Sequence, residues 1–593
     1  MPRVSSLFLA TVALLLGVLH LVAAHGTDHD GEKMGMGEEA PAAPPKVHER
    51  PMSYWSYPEH AGLMYVHIAL MMAAWVVMLP VGVMFSIARS RFSLITQFSF
   101  LIVNAFGLLI GVIYDHKTPD LYENNSHSKI GWAITWIASA WVFMSLVQTY
   151  TARSQVHTLE GHAAQPVSAA AVAQYQRVHD VEVPHISRWS NDSGQGTERN
   201  SASLCGHSRS PSVESENQQF PGPQPAYQDD DEDFDANDDA EKRGFLRNTS
   251  IDRFLSRNIS RFAFGRTLKA LRVLYMTIDR TILILGFMAI TTGTVVYGGI
   301  ARGGGVFNVL AHYIKGGIFF VYGLLTLGRW MGAFADFGWA WNIKPPKEVV
   351  GRRRAAIPTA EFTESFVIFL YGASNVFLEH LAAWGDAWTA QDLEHVSISV
   401  MFFGGGLLGM IIESSKMRDL LNYSISSLQA AKHLSEESWQ PPKSYRFSMN
   451  PLPSLIILLL GKMMSSHHQA SKLSTMIHKQ WGGMFMGFAI ARVVTYITLY
   501  ISPPTSYLPS RPPSEIIAAF CLVAGGLTFM ESNKDTVAAL ESYDLDAMFT
   551  FVVTIGFTAL LMAWTTVVVA IKGWAVQKES VSLKARRGAG ALA

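Results

Sequence analysis

The sequence predicts an all-α, polytopic membrane protein with about eleven transmembrane helices after a cleaved signal peptide. Three observations predict it. Of 593 residues, 49% are hydrophobic and 16% charged, with no formal net charge and a mean hydropathy of +0.19, a membrane-protein composition with polar inserts. Apolar runs of about 20 residues, enough to cross a hydrocarbon core, recur along the chain. Lys and Arg gather in alternate connections, the bias that orients helices in a bilayer. Membrane lipid is the expected surrounding; no nucleic-acid partner is expected, and protein partners are not readable. Cys205 and Cys521 are the only cysteines, one in a polar loop and one in a span, so no disulfide framework is implied.

At the N-terminus, Arg3 precedes SSLFLATVALLLGVLHLVAA, and Val22-Ala23-Ala24 offers a small-residue cleavage site. Residues 1–24 therefore read as a signal peptide, with an uncleaved anchor as the alternative. Residues 25–58 form a luminal tail in which His25, His29, Met34 and Met36 suit copper; the alternative is a plain polar tail. Residues 59–150 hold three spans, near 59–89, 94–114 and 129–150. Trp55 and Tyr57 suit the interfacial belt, Arg89 and Arg91 close the first span on the cytosolic side, and Asn124-Asn125-Ser126 is a glycosylation sequon.

His67 followed by IALMMAAWVVMLPVGVMFSIAR resembles the second helix of the cytochrome b-561 family, and His127-Ser-Lys-Ile-Gly resembles its fourth. The resemblance implies that His67 and His127 are axial ligands of one b-type haem. Both lie near the outer starts of spans running the same way. The family's other His pair falls near Gln97 and Asp279–Arg280 in this chain, so at most one haem is implied. The alternative is a pair of interfacial histidines satisfied by water or neighbours.

Residues 151–271 are rich in Ser, Gln, Asn and Pro and carry an acidic block from Asp229 to Glu241. Such a stretch cannot bury enough apolar area to offset chain entropy, and reads as a disordered cytosolic linker. At its end, residues 245–272 interleave Arg247, Arg253, Arg257, Arg261 and Arg266 with Phe254, Leu255, Ile259 and Phe262. That is a basic amphipathic segment suited to the anionic cytoplasmic leaflet, or an ordinary solvated helix before a span.

Residues 272–575 form a second membrane domain of about eight spans, and 576–593 a cytosolic tail. Its expected cytosolic connections hold Lys344, Lys347, Arg352–Arg354, Lys416, Arg418, Arg511, Lys572 and Lys578, whereas the luminal ones hold only Arg302, Lys472, Lys479 and Lys534. Gly303–Gly305, Gly404–Gly406, Gly482–Gly483 and Gly525–Gly526 are expected to let helices approach closely.

On this topology the unusual polar residues collect on the luminal side. His380, Glu394, His395, His467, His478 and Glu531 are candidate ligands of a divalent metal ion. Glu379 lies beside His380; Asp392 and His395 are three apart, and Glu531 and Asp535 four apart on one expected helical face. The same groups suit a proton relay, and wet helix ends are the bland alternative. Glu413 and Arg492 are expected to be intramembrane and are candidates for an ion pair with each other.

The whole arrangement resembles the fungal family of yeast type-III integral membrane (Ytp-one-like) proteins over residues 50–150 and 270–575. That resemblance implies a multi-pass membrane protein of unknown biochemical role; the expected location is an integral membrane of the secretory pathway (endoplasmic reticulum, Golgi, vacuole or plasma membrane). Three functions follow from these readings: a b-type haem redox protein, a metal-ion or proton transporter or sensor, and a non-catalytic membrane scaffold. Nothing read here decides whether it is an enzyme.

Overall fold

The computed structural model describes residues 52–163, 265–375, 388–429, 447–466 and 469–590, together with Trp439. The expected signal peptide, most of the 151–271 linker including residues 245–264 of its basic segment, and Glu379, His380 and His467 lie outside them. Among the described residues there is no strand, and nine helices are long and apolar enough to cross a membrane. The chain is an all-α polytopic membrane protein.

The helices in order are α1 (Ala61–Ile87), α2 (Ser93–Lys117), α3 (His127–Ala163), α4 (Gly265–Gly298), α5 (Gly305–Met331), α6 (Ala360–Asn375), α7 (Ala390–Glu413) and α8 (Ser415–Gln429). There follow α9 (Leu452–Ser466), α10 (Lys472–Ile501), α11 (Pro513–Glu531), α12 (Lys534–Ser542) and α13 (Ala547–Gly590). The two expected spans outside the nine are α6, which runs into undescribed residues, and the 15-residue apolar α9. Successive spans alternate in direction. The face carrying Lys344, Arg352–Arg354, Lys416 and Arg418 is called the basic face below.

The described residues form two compact units, one within 52–144 and 272–590 and one of 145–163 with 265–271. In the smaller unit Val147 and Tyr150 pack with Leu146 and Leu271. In the larger unit Trp75, Leu79, Phe100 and Trp141 share a core with Ile282 of α4. A second core joins Phe319, Trp481, Phe485, Phe488 and Leu522.

Local chemistry explains several joints. Pro80 has no N–H to give Val76, the carbonyl four residues back, and the helix is π-wound over Ala73–Met78 just before it. Trp564 Nε1 of α13 donates to that Val76 carbonyl at 2.8 Å. Small residues set the closest helix crossings, as expected from the glycine patches. A Cβ on Gly526 would lie 2.6 Å from the Phe320 backbone nitrogen, and one on Gly461 2.6 Å from the Gly482 carbonyl oxygen. Gly303 and Gly304 instead meet nothing within 4 Å. Thr389 and Asp392 close a capping box at the start of α7. Asn533 caps α12 separately from α11, so Glu531 and Asp535 belong to two helices rather than to one face.

Candidate functional site

Residues of α4, α5, α6, α7 and α9 line a cavity of about 1460 Å³. Its lining on α5 extends from Val306 through Tyr313, Gly317 and Val321 to Arg329, and on α6 from Ala360 through Glu364 and Ile368 to Asn375. The cavity is therefore a groove along the length of α5. At the non-basic end it reaches Asp120, His127 and Arg302; at the basic end it reaches Arg329 and Glu364. Leu310, Ile314, Ile318 and Leu325 are exposed, which leaves the middle of the groove open on the side of the acyl chains.

The basic end is closed by an ion network. Arg329 Nη1 is 2.6 Å from Glu364 Oε1 and Nη2 is 3.0 Å from Glu361 Oε1. Arg492 of α10 reaches Glu364 Oε2 at 3.4 Å and Glu515 Oε1 of α11 at 2.8 Å. The order Glu361–Arg329–Glu364–Arg492–Glu515 alternates in sign, and none of the five side chains is more than 10% exposed. Three carboxylates and two guanidiniums leave one negative charge in excess when all are ionised. Buried charge at membrane depth is costly and persists only when paired.

A strained loop holds the network in place. Arg329 Nε donates to the Trp339 carbonyl at 2.7 Å, and its guanidinium lies 4.4 Å from the Trp341 ring. Arg492 lies 5.8 Å from the same ring. Trp341 is buried with φ of 51°, a left-handed conformation that is rare for a bulky residue. Ser510 donates to its carbonyl, and Asn342 Nδ2 donates to Ala335 and Tyr507 carbonyls at 2.8 Å each. Residues 335–343 are thereby tied to 507–510.

Those of the candidate residues that are described fall at several places in the fold. Arg492 does pair within the membrane, but with Glu364 and Glu515 rather than Glu413. Glu413 ends α7 and accepts from Thr359 Oγ1 at 2.8 Å and Ser448 Oγ at 2.6 Å. Asp392 is engaged by Thr389, so its spacing from His395 serves a helix cap. Glu394 is exposed. Glu531 accepts from Thr554 Oγ1 at 2.6 Å. His395 and His478 come within electrostatic reach of His312 on α5, a residue not singled out from sequence. Among the described residues no group of three or more His, Cys, Asp or Glu is arranged to hold a metal ion.

His67 and His127 sit at neighbouring helix ends within electrostatic reach of each other. Nδ1 of His67 is 2.8 Å from the Gly107 carbonyl oxygen, and Nδ1 of His127 is 3.1 Å from Thr292 Oγ1. A Cβ on Gly111 would fall 2.8 Å from His67, and one on Gly293 3.1 Å from His127. Each imidazole thus rests on a glycine.

Residues 285–573 match the family described as YTP1-like protein, C-terminal, and residues 48–151 match a domain of unknown function, DUF2427. The uncharacterized membrane protein C3B8.06 of Schizosaccharomyces pombe is 32% identical over 529 residues, 88% of this chain and 96% of that protein. The chain belongs to the YTP1-like family. The uncharacterized membrane protein YCR061W of Saccharomyces cerevisiae is 38% identical over 307 residues, 50% of this chain and 47% of that protein. Protein YTP1 of the same yeast is 22% identical over 281 residues, 47% of this chain and 50% of its own length. No solved structure matches. The YTP1-like region contains all five members of the ion network, and the DUF2427 region contains His67 and His127.

Proposed function

We propose that this YTP1-like chain is a membrane transport protein that moves an amphipathic molecule along the α5–α6 groove, with the Arg329–Glu364 bridge as the closure at the basic face. One observation carries the reading: the groove ends on the buried ion network. An apolar groove with convergent polar groups is the usual form of a ligand site. Buried ion pairs at membrane depth mark transport paths. The bridge joins two helices that form the walls, and Arg329 also holds Glu361 of α6, so releasing Arg329 from both carboxylates frees α5 and α6 to part.

Cysteine accessibility tests this. In a C205S/C521S background, Thr363→Cys beside the bridge is labelled in sealed vesicles with a membrane-impermeant thiol reagent. Little labelling from the basic face, rising at least fivefold with Arg329→Gln, which removes both contacts to α6, is expected. In proteoliposomes, a fluorescent-headgroup phospholipid should exchange leaflets faster than in empty vesicles, and Gly317→Trp should remove the excess. No labelling change and no excess exchange would overturn the proposal.

A second reading is favoured by the His67 and His127 geometry. Nδ1 contacts to a backbone carbonyl and a hydroxyl leave Nε2 as the coordinating nitrogen, the arrangement of a metal-bound imidazole. The donor set fits one b-type haem, which would supply one-electron chemistry when bound. Gly107 and Thr292 would then fix ring orientation, and Gly111 and Gly293 would give the rings room. Purified protein supplied with haem should show a sharp reduced-minus-oxidised band that a H67A/H127A variant lacks; an identical spectrum from both would exclude it.

A further inference from the structure

We infer that α8 is an interfacial helix that lies on the basic-face leaflet and binds anionic phospholipid headgroups. It starts where a membrane span stops. α7 ends at Glu413, and Ser414 breaks it with an extended ψ of 116°; α8 begins at the next residue, Ser415. The junction is fixed in depth. Glu413 accepts from Thr359 Oγ1, just before α6, at 2.8 Å and from Ser448 Oγ, shortly before α9, at 2.6 Å. α8 therefore leaves the bundle at the level where α6 and α9 enter it. Ile411 and Ile412 in the last turn of α7 are exposed, so lipid-facing surface runs up to the junction.

The rest of the chain covers little of α8. From Ser415 to Ser427 every side chain but that of Arg418 is exposed, Leu420 at 68%, Leu421 at 76% and Ile425 at 62%. A helix of 15 residues is marginal in water on its own, so its apolar side needs a cover. At roughly 100° per residue, Leu420, Met417, Leu421 and Ile425 share an arc of about 140°. Asp419, Asn422 and Ser426 occupy the opposite side. That is the layout of a helix lying in the headgroup plane. Cations stand at both margins of the arc: the exposed Lys416 beyond Leu420, and Arg418, within electrostatic reach of Glu413, beyond Ile425. From such a margin a lysine stem can lie along the apolar surface while its ammonium meets a phosphate. Lys344 and Arg352–Arg354 gather on the same face of the protein, which makes an anionic leaflet the complementary one.

The test uses the full chain in vesicles, in the C205S/C521S background, with a nitroxide on Leu421→Cys or, separately, on Ser426→Cys. Both positions are exposed, so neither label disturbs packing. Collisions with oxygen, which concentrates among acyl chains, and with an impermeant nickel chelate, which stays in water, report the depth of each label. The Leu421 label should favour oxygen over the chelate more strongly than the Ser426 label. Adding phosphatidylserine to phosphatidylcholine vesicles should raise the Leu421 ratio. Lys416→Gln should cut that gain about fivefold, the weight of one lysine at an anionic surface, and Lys416→Arg should keep it. The 245–272 basic segment is the same in all these proteins and does not enter the comparison. Equal ratios at the two labels, no gain with phosphatidylserine, or a gain that Lys416→Gln cuts less than twofold would overturn the inference. So would a Leu421 ratio that follows protein density at constant lipid composition, the mark of a second copy on this face.

Discussion

Arg492 is the side chain whose loss should be felt most. It is 1% exposed and serves two carboxylates, Glu364 at 3.4 Å and Glu515 at 2.8 Å. Replacing it with Gln leaves Glu515, itself 0% exposed, without its cation, while Glu364 keeps Arg329 at 2.6 Å. Removing one partner of a buried pair costs about 3–5 kcal/mol, because the other charge stays desolvated. Glu515→Gln acts differently. It leaves Arg492 with Glu364 and removes the single excess negative charge of the network. Its cost should be nearer that of an ordinary lost hydrogen bond, about 1 kcal/mol. The double variant should recover part of the Arg492→Gln loss, with a coupling of roughly 2 kcal/mol.

Apparent melting by size-exclusion chromatography in one detergent and at one pH ranks these variants. Arg492→Gln should melt several degrees lower than wild type, Glu515→Gln within a degree or two of it, and the double variant between them (about 2–4 °C per kcal/mol is the scale for domains of 150–250 residues, and less for larger chains). Equal losses from the two single variants, or a double loss equal to their sum, would show that the two charges do not depend on one another.

Other joints are open to similar tests. Trp564→Phe removes the donor to the Val76 carbonyl and should cost about 1–3 kcal/mol; in a Pro80→Ala background, where the helix supplies its own N–H, the cost should shrink in the same melting assay. Gly526→Ala forces a Cβ to 2.6 Å from the Phe320 nitrogen and should lower folded yield and melting temperature, whereas Gly483→Ala, with nothing within 4 Å, should not. Gln97 is fully buried, and neither of its side-chain polar atoms finds a partner; Gln97→Leu should therefore hold or raise the melting temperature, and a fall of several degrees would mean that the amide has a partner.

Much of the fold was legible because the signals are strong and local. Apolar length gave the spans, and the alternation of Lys and Arg gave their expected order. The joints were less legible. Pro80 announced a perturbed helix, but nothing near it in sequence announced Trp564 as the donor 484 positions away. Gly525–Gly526 stood out as a pair, yet its partner on α5 includes the single Gly316, which no local pattern marks. The b-561 resemblance drew attention to Gln97 and Asp279 as replaced histidines. Asp279 now serves Trp141 Nε1 at 3.0 Å, a use for a carboxylate in a core that only tertiary contact discloses.

The ion network escaped the sequence reading for a reason of the same kind. Polar residues near helix ends look wet in sequence, so nothing local marks Glu361, Glu364 and Glu515, at the starts of spans on the basic face, as buried charges. Arg492 carried the missing signal. It stands nine residues before the end of α10, roughly 14 Å along the axis at about 1.5 Å per residue. A cation that deep requires an anion at the same depth. Glu413 looked like that anion because it too follows a long apolar run, but it closes α7 and is satisfied by Thr359 and Ser448 near the basic face. Glu515 starts α11, which is sheathed by other helices and rich in fully buried small residues such as Ala518, Ala519 and Ala524. Its first turn is therefore as dry as the middle of an outer span. Depth in a polytopic protein is set by the neighbours of a helix as well as by distance from its end, and the neighbours of α11 come from far along the chain.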